Sequence, residues 1–288
     1  MNLSVLILTL NEEVNLPYAL QSVSGWADQI IVVDSFSQDR TVEIARSFGA
    51  EVFQNEFVNH VQQRNLALEY PTYRHEWVLY IDADEQVTPE LQDEIEQLLQ
   101  DVPDEVGGFE MRRRYIFLGR WLKHGGWYPW MLRLLRVKRS RFVTSARGGE
   151  YAVVQGGIRR LKHDLLHQDQ RPLYQWIQNQ NRDTSRVALS LLDAGGQIKA
   201  PVLAKGERQE GRVRALLTRI AFKLPLGFSS FLRFVIAYVI RLGFLDGWQG
   251  FAFNVLHPFW HTLLVDLKKR EYAQSSCALD EARRTPWR

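Results

Sequence analysis

"WVLYIDADEQVTPEL" (residues 77–91) begins as an apolar run, breaks on three acids at Asp82, Asp84 and Glu85, and resumes as a helix opening at Thr88 and Pro89. The first six residues read as a strand buried on both faces, because branched and aromatic side chains follow one another without polar alternation. Thr88 offers a side-chain oxygen to cap a helix, and Pro89 suits a first helical position, where no N–H is needed. The acids therefore fall at the carboxyl end of a strand. Carboxylates this close repel one another, and a fold keeps them together when a cation or a proton-transfer task offsets the repulsion. A solvated acidic turn has the same local sequence, so the surroundings decide.

Upstream the same grammar repeats. "SVLILTL" (residues 4–10) and "QIIVVDS" (residues 29–35) are apolar runs of strand length, each followed by helical sequence. The first helix is expected to reach about Trp26; the second, in "QDRTVEIARSFGA", has Asp39 near its cap and Gly49 past its end. "EVFQ" adds a short strand, and residues 61–69 another helix. Alternating strands and helices predict an α/β fold with a Rossmann-like, mostly parallel sheet flanked by helices. Ligands of such sheets bind beyond the carboxyl ends of the strands. Thr9, Asn11, Glu12, Asp34, Asp82 and Asp84 all occupy such ends. No G-x-G-x-x-G follows the first strand and no G-K-[ST] occurs, so phosphates need another holder. Mg2+ or Mn2+ held by Asp84, with Asp82 beside it, fits, since these ions take few carboxylates plus phosphate oxygens.

At 288 residues, 45% hydrophobic and 24% charged, the chain is long enough for an ample core and is not of disordered composition. Cys277, its one cysteine, has no internal disulfide partner, and the first residues lack a basic stretch followed by a long apolar one, so a cytoplasmic location is expected. Charge is unevenly spread. Residues 1–110 carry 4 Lys/Arg against 21 Asp/Glu, and residues 111–149 carry eleven Lys/Arg and no acid. Such a basic stretch suits an anionic partner: nucleic acid, lipid headgroups or a phosphorylated glycolipid.

"ILTLNEEVNLPYALQSV", "IIVVDSFSQDRTVEIA", "QQRNLAL" and "VLYIDADEQVTPEL" resemble, in order and spacing, glycosyltransferase family 2, enzymes of GT-A fold that transfer a sugar from a nucleotide diphosphate with inversion. The resemblance covers about the first 100 residues. It implies that Thr9, Asn11 and Glu12 line the nucleotide pocket, that Asp34 accepts from the base, that Arg64 and Asp82 lie against the nucleotide sugar, and that Asp82 and Asp84 of the D-x-D motif hold the metal. "GGWYPWMLRLLR" and "RGGEYAVVQGGIRRLKHDLLHQD" look like the acceptor half of bacterial members resembling lipopolysaccharide core glucosyltransferases. Where such relatives commonly show a Val-His-Glu triplet, this chain has Gly148, Gly149 and Glu150.

Inverting transfer needs one carboxylate to take a proton from the acceptor hydroxyl. Glu150, after the glycine pair, is the candidate, ahead of Asp164 and Asp169. His163 and His167, four apart in "HDLLHQD", would share a helical face as in a zinc site, but the flanking residue is not the Glu of a zincin and no third ligand follows. His167 is a candidate metal or diphosphate contact instead, with a structural histidine as the alternative. Trp127, Tyr128 and Trp130 are candidates for stacking on an acceptor sugar.

From residue 224 to 268 the sequence turns apolar and aromatic, with Arg233, Arg241 and Asp246 interrupting it. Phe228, Phe231, Leu232, Val235, Ile236, Val239 and Ile240 recur at helical spacing, while Ser230, Arg233, Ala237 and Arg241 fall toward another face. Such helices suit the membrane interface, with Trp248, Phe251, Phe253, Phe259 and Trp260 at headgroup depth; a helical lid is the alternative. Residues 1–200 are thus expected to form a GT-A catalytic domain and 201–288 a helical, membrane-associating region.

The expected activity is metal-dependent, inverting transfer of a hexose from a nucleotide-diphosphate sugar, of UDP-glucose type, to a lipid-linked glycan such as lipopolysaccharide core. The expected location is peripheral, on the inner face of the cytoplasmic membrane against anionic lipid. Transfer to polyprenyl phosphate and a non-catalytic nucleotide-binding scaffold are the alternatives. No nucleic-acid partner is expected, since no recognisable module accompanies the basic stretch.

Overall fold

The computed structural model describes residues 2–144, 150–193 and 227–284. They fall into two compact units. The first comprises Met1–Trp121, Trp127–Val143 and Glu150–Arg171, the second Leu122–Gly126, Thr144–Gly149 and Pro172–Arg288. The boundary expected at 200/201 lies outside the described residues. The second unit already takes in the helix Leu173–Asp193, whose Ala188 and Leu189 pack with Val265, Tyr272 and Ala282.

In the first unit, β1 (Ser4–Thr9), β2 (Gln29–Asp34), β3 (Glu51–Gln54) and β4 (Trp77–Asp82) pair in parallel in the order β3-β2-β1-β4. Successive residues of each strand face opposite layers. Val5, Ile7, Val32, Leu79 and Ile81 enter one core, and Leu6, Ile31, Val33, Val78 and Tyr80 the other. Each fully buried side chain of this kind stabilises the fold by roughly 1.5–3 kcal/mol, which is why these strands are apolar throughout. Helices α1 (Leu16–Gln21), α2 (Thr41–Ser47) and α3 (His60–Glu69) connect them. The first helix is shorter than expected: turns replace it before Trp26, with Gly25 at a φ of 75°. After β4 and a turn come β5 (Glu85–Val87) and α4 (Pro89–Leu98), whose Thr88 cap accepts from the Leu91 N–H at 3.3 Å.

Beyond β4 the sheet is mixed, so the parallel expectation describes its amino-terminal half. β6 (Val106–Phe117), with β7 (Arg120–Trp121) folded back on it, pairs antiparallel with β8 (Trp130–Arg136), which pairs antiparallel with β4. β9 (Ser140–Thr144) and β10 (Glu150–Val154) form a separate ribbon. β11 (Gly157–Gln168) lies parallel to β6 and antiparallel to β5, placing His167 opposite Glu85. "HDLLHQD" is therefore strand rather than helix. At about 3.3 Å per residue, His163 and His167 stand roughly 13 Å apart, and His163 is engaged by Glu94 at 3.0 Å.

The second unit is helical. Phe228–Val235 continues through a π-turn, Ile236–Ile240, to the short Gly243–Asp246 turn and the helix Gly247–Asn254; a second π-turn, Val255–His261, leads into Thr262–Gln274 and then Ser276–Arg284. Among the described residues no single helix is long and apolar enough to cross a membrane; Phe228–Ile240 and Gly243–Gln274 together are, with a 73° bend between them.

Candidate active site

All described candidate residues belong to the first unit. Thr9 and Asp34 end β1 and β2 side by side, and the Thr9 hydroxyl donates to Asp34 Oδ1 at 3.0 Å. Asp34 is fully buried; it also accepts from the Ser37 N–H (2.9 Å), the Ser37 hydroxyl and Gln54 Nε2 (3.1 Å). Its oxygens thus hold the loop after β2. Asn11 takes the left-handed conformation, φ 55°, and its side chain accepts from the Gln38 N–H at 2.8 Å. Asp39 stands one residue before the N-cap of α2, Arg40, and accepts from the Thr41 N–H at 3.0 Å.

Glu12 faces Arg171 at 3.3 Å and accepts from Asn15 Nδ2 at 2.9 Å. Burial pushes its carboxyl up to about 7, against the pull of Arg171. Asp169 is held by Arg171 through two contacts, 2.8 and 3.0 Å, and by Asn15 at 3.2 Å.

The acidic turn resolves into three different environments. Asp82 is bound by two guanidinium groups, Arg64 at 3.0 Å on Oδ1 and Arg133 at 2.7 Å on Oδ2. Burial opposes its charge, but Arg133 and Arg64 outweigh it and hold the carboxyl well below the usual carboxylate range. Glu85 is fully buried, accepts from Arg133 at 2.6 Å and receives the Asp82 N–H at 2.9 Å. Asp84 instead faces His167: Oδ1 and Nδ1 are 3.3 Å apart, and the histidine rests on Tyr115 with ring centroids 4.6 Å apart. Burial works against the Asp84 charge too, and His167 more than compensates, lowering its pKa.

His167 Nδ1 is buried and makes no hydrogen bond. With Nδ1 deprotonated, a carboxylate oxygen and an imidazole lone pair about 3 Å apart have the spacing of neighbouring ligands around an ion with ~2.1 Å bonds. Asp84 and His167 therefore fit a divalent cation, and each Asp82 oxygen accepts from one arginine while keeping a further lone pair. Among the described residues no three His, Cys, Asp or Glu side chains converge as a metal cage. An ion there would be held by few side chains, with phosphate oxygens and water completing its shell.

Arg133 is the member that sequence reading missed, and Glu85 was named only as part of the acidic turn. The basic stretch was read as a surface, yet Arg133 is 1% exposed, and the buried Arg136 donates to the Val106 carbonyl at 2.8 Å. These residues are internal counter-charges. Arg64 and Arg133 both lie on the Tyr80 ring, 5.0 and 4.4 Å from its centroid. Nε and Nη1 of each are buried without a hydrogen-bond partner. Inward-pointing Arg in the otherwise apolar "WMLRLLR" was the available signal.

Glu150, at the start of β10, lies 3.4 Å from the Arg64 guanidinium that also binds Asp82. Gly148 and Gly149 lie outside the described residues. Asp164, a rival base, is occupied by the Tyr128 hydroxyl (2.5 Å) and Arg114 (3.1 Å). Tyr128 and Trp130 each carry Arg112 over a face, at 4.5 and 4.7 Å, and Trp127 is half-buried beside them in sequence.

The chain belongs to glycosyl transferase family 2, whose family description matches residues 4–168. An uncharacterized glycosyltransferase of Rickettsia bellii is 44% identical over 96 residues, 33% of this chain and 32% of that one. The match thus spans about a third of that relative's length. Lipopolysaccharide core biosynthesis glycosyltransferase LpsC of Rhizobium meliloti is 27% identical over 205 residues, covering 67% of this chain and 73% of that protein. The mannosyltransferase PcManGT of Pyrobaculum calidifontis, solved with GDP-Man and Mn2+, aligns over 93% of this chain and 86% of its own with a TM-score of 0.51 at 16% identity. That likeness establishes the GT-A fold.

Proposed function

We propose that this protein is an inverting, metal-dependent hexosyltransferase that uses a nucleotide-diphosphate sugar, of UDP-glucose type, and a membrane-linked glycan acceptor such as lipopolysaccharide core. The observation that carries the proposal is the Asp84–His167 pair, 3.3 Å apart, beside a D-x-D aspartate already neutralised by Arg64 and Arg133. Thr9, Asn11, Glu12 and Asp34 shape the adjoining strand ends for the nucleotide. The LpsC likeness supports the choice of acceptor, and a place on the inner face of the cytoplasmic membrane follows from that acceptor.

In the reaction, Glu150 takes the proton of the acceptor hydroxyl while its oxygen bonds to the anomeric carbon from the face opposite the diphosphate. The bond from that carbon to the diphosphate oxygen breaks, and the configuration inverts. A divalent cation held by Asp84 and His167 supplies, when bound, neutralisation of the charge growing on the diphosphate. Arg64, touching both Asp82 and Glu150, aims the base. Tyr128 and Trp130, braced by Arg112, orient the acceptor.

The test is a screen of UDP-, GDP- and dTDP-sugars with and without Mn2+, reading nucleoside diphosphate release, followed by defined acceptors. Release with one donor, dependent on Mn2+ and on a glycan acceptor, is expected. Nucleotide binding without turnover of any donor would replace the proposal with a scaffold, and transfer to polyprenyl phosphate alone would replace the acceptor.

A further inference from the structure

The helical corner of the second unit is turned inside out. Phe228–Val235 and the π-turn after it direct Ser230, which is fully buried, and Ala237 inward. Phe228, Phe231, Val239 and Ile240 face solvent, Ile240 at 68% exposure. The following turn and helix add Phe244 and Trp248, the latter 64% exposed. At the centre of the corner are small and polar groups. A Cβ on Gly250 would lie 2.4 Å from the Gly243 carbonyl oxygen, and one on Gly243 2.8 Å from that of Ala237, so the segments meet backbone to backbone. Asn254, 1% exposed, donates to the Gly250 carbonyl at 2.7 Å. In water this arrangement is costly, since a soluble surface seldom gathers so many large apolar side chains. In a lipid leaflet it is the favourable one.

Charge says which leaflet. Between Phe228 and Phe251 the formal charges are Arg233, Arg241 and Asp246. Asp246 is buried and bound to His124 at 2.8 Å, while both arginines are exposed. Within this span the outward charge is thus cationic, although Asp266 of the later helix lies near Arg233 and accepts from Ser229 at 3.1 Å. The sequence placed Phe253, Phe259 and Trp260 at headgroup depth as well. Phe253 is instead fully buried against Trp176 and His257, and Phe259 and Trp260 are only partly exposed.

We propose that the corner spanning Phe228–Ile240 and Gly243–Asn254 docks into one leaflet of a bilayer containing anionic phospholipid. Its apolar side chains sit below the headgroups and Arg233 and Arg241 lie among the phosphates. Penetration is about 5–10 Å, as for interfacial helices, without crossing. The proposal deepens the membrane-linked acceptor reading and rests on it for purpose, not for geometry.

The test is flotation of the full chain with vesicles of phosphatidylglycerol and phosphatidylethanolamine, against pure phosphatidylcholine vesicles. Phe231→Asp and Trp248→Asp should each lower the vesicle partition coefficient about tenfold, while the unfolding midpoint holds because both positions are exposed. Arg233→Gln and Arg241→Gln should each cost about fivefold on the anionic vesicles alone. Brominated acyl chains should quench more fluorescence in the wild type than in Trp248→Phe. Binding unchanged in the aspartate variants, or an aspartate variant that only converts a dimer to a monomer, would overturn the proposal in favour of a protein-covered face. Nucleoside diphosphate release without an acceptor is read in parallel. Its failure alone counts against the transferase reading, and vesicle binding that responds to these substitutions supports the docking proposal whatever that release shows.

Discussion

Arg133, on β8, reaches Asp82 at 2.7 Å and Glu85 at 2.6 Å from a position almost wholly removed from solvent. One guanidinium thus binds two carboxylates of the acidic turn. Removing it leaves buried charge without a partner, which costs several kcal/mol, whereas an exposed ion pair contributes under about 1 kcal/mol. Arg133→Met should lower the unfolding free energy by about 3–5 kcal/mol, measured by urea titration, and Glu85→Gln in the same background should recover part of it. A loss below 1 kcal/mol would mean that the pairs are not formed.

Asp82 and Asp84, two residues apart, are expected to fail differently. His167→Ala and Asp84→Asn should weaken Mn2+ binding at least about tenfold by calorimetry with nucleoside diphosphate present, since each removes a side chain proposed to hold the ion. Asp82→Asn should instead leave Mn2+ affinity within a few-fold and disturb Arg64 and Arg133. Equal loss in all three variants would return Asp82 to the metal.

Glu150→Gln keeps an oxygen for Arg64 but removes the proposed proton acceptor. A drop in kcat of about 10²–10⁴-fold with donor KM nearly unchanged is expected. Retained kcat would direct attention to Asp169, whose Arg171 and Asn15 contacts would then have to open.

Glu12 gives a pH signature. Its pKa rises from 4.5 unfolded to about 7 folded, chiefly through burial. The folded chain therefore holds this proton longer, and the associated stability is complete below 4.5 and lost as pH climbs through about 7. Urea midpoints of the wild type should fall across that window relative to Glu12→Gln. Parallel pH profiles for the two proteins would contradict the shift.

The amino-terminal half was legible because β1, β2 and β4 are local statements: apolar on both faces and ended by a polar residue. Thr88 and Asp39 announced their helices within a few positions. The second half speaks through distant partners. Asp84 meets His167 across 83 positions, and Arg133 meets Asp82 across 51. β11 alternates too weakly for its period to separate strand from helix, so "HDLLHQD" permitted a helical face. Resemblance could name Asp82 and Asp84 together as metal ligands, but only the fold assigns their oxygens to different neighbours. The carboxyl-terminal helices were recognisable by composition, while the direction in which their aromatic rings point depends on the close approach at Gly243 and Gly250.

That glycine contact has a practical side. The segments are clamped through backbone and amide groups that no bulk medium reaches, so the corner keeps its shape when its surroundings are exchanged. Detergent micelles should therefore take up the corner without unfolding it, so that the chain elutes ahead of its 33.6 kDa mass on a sizing column in their presence while its urea midpoint holds.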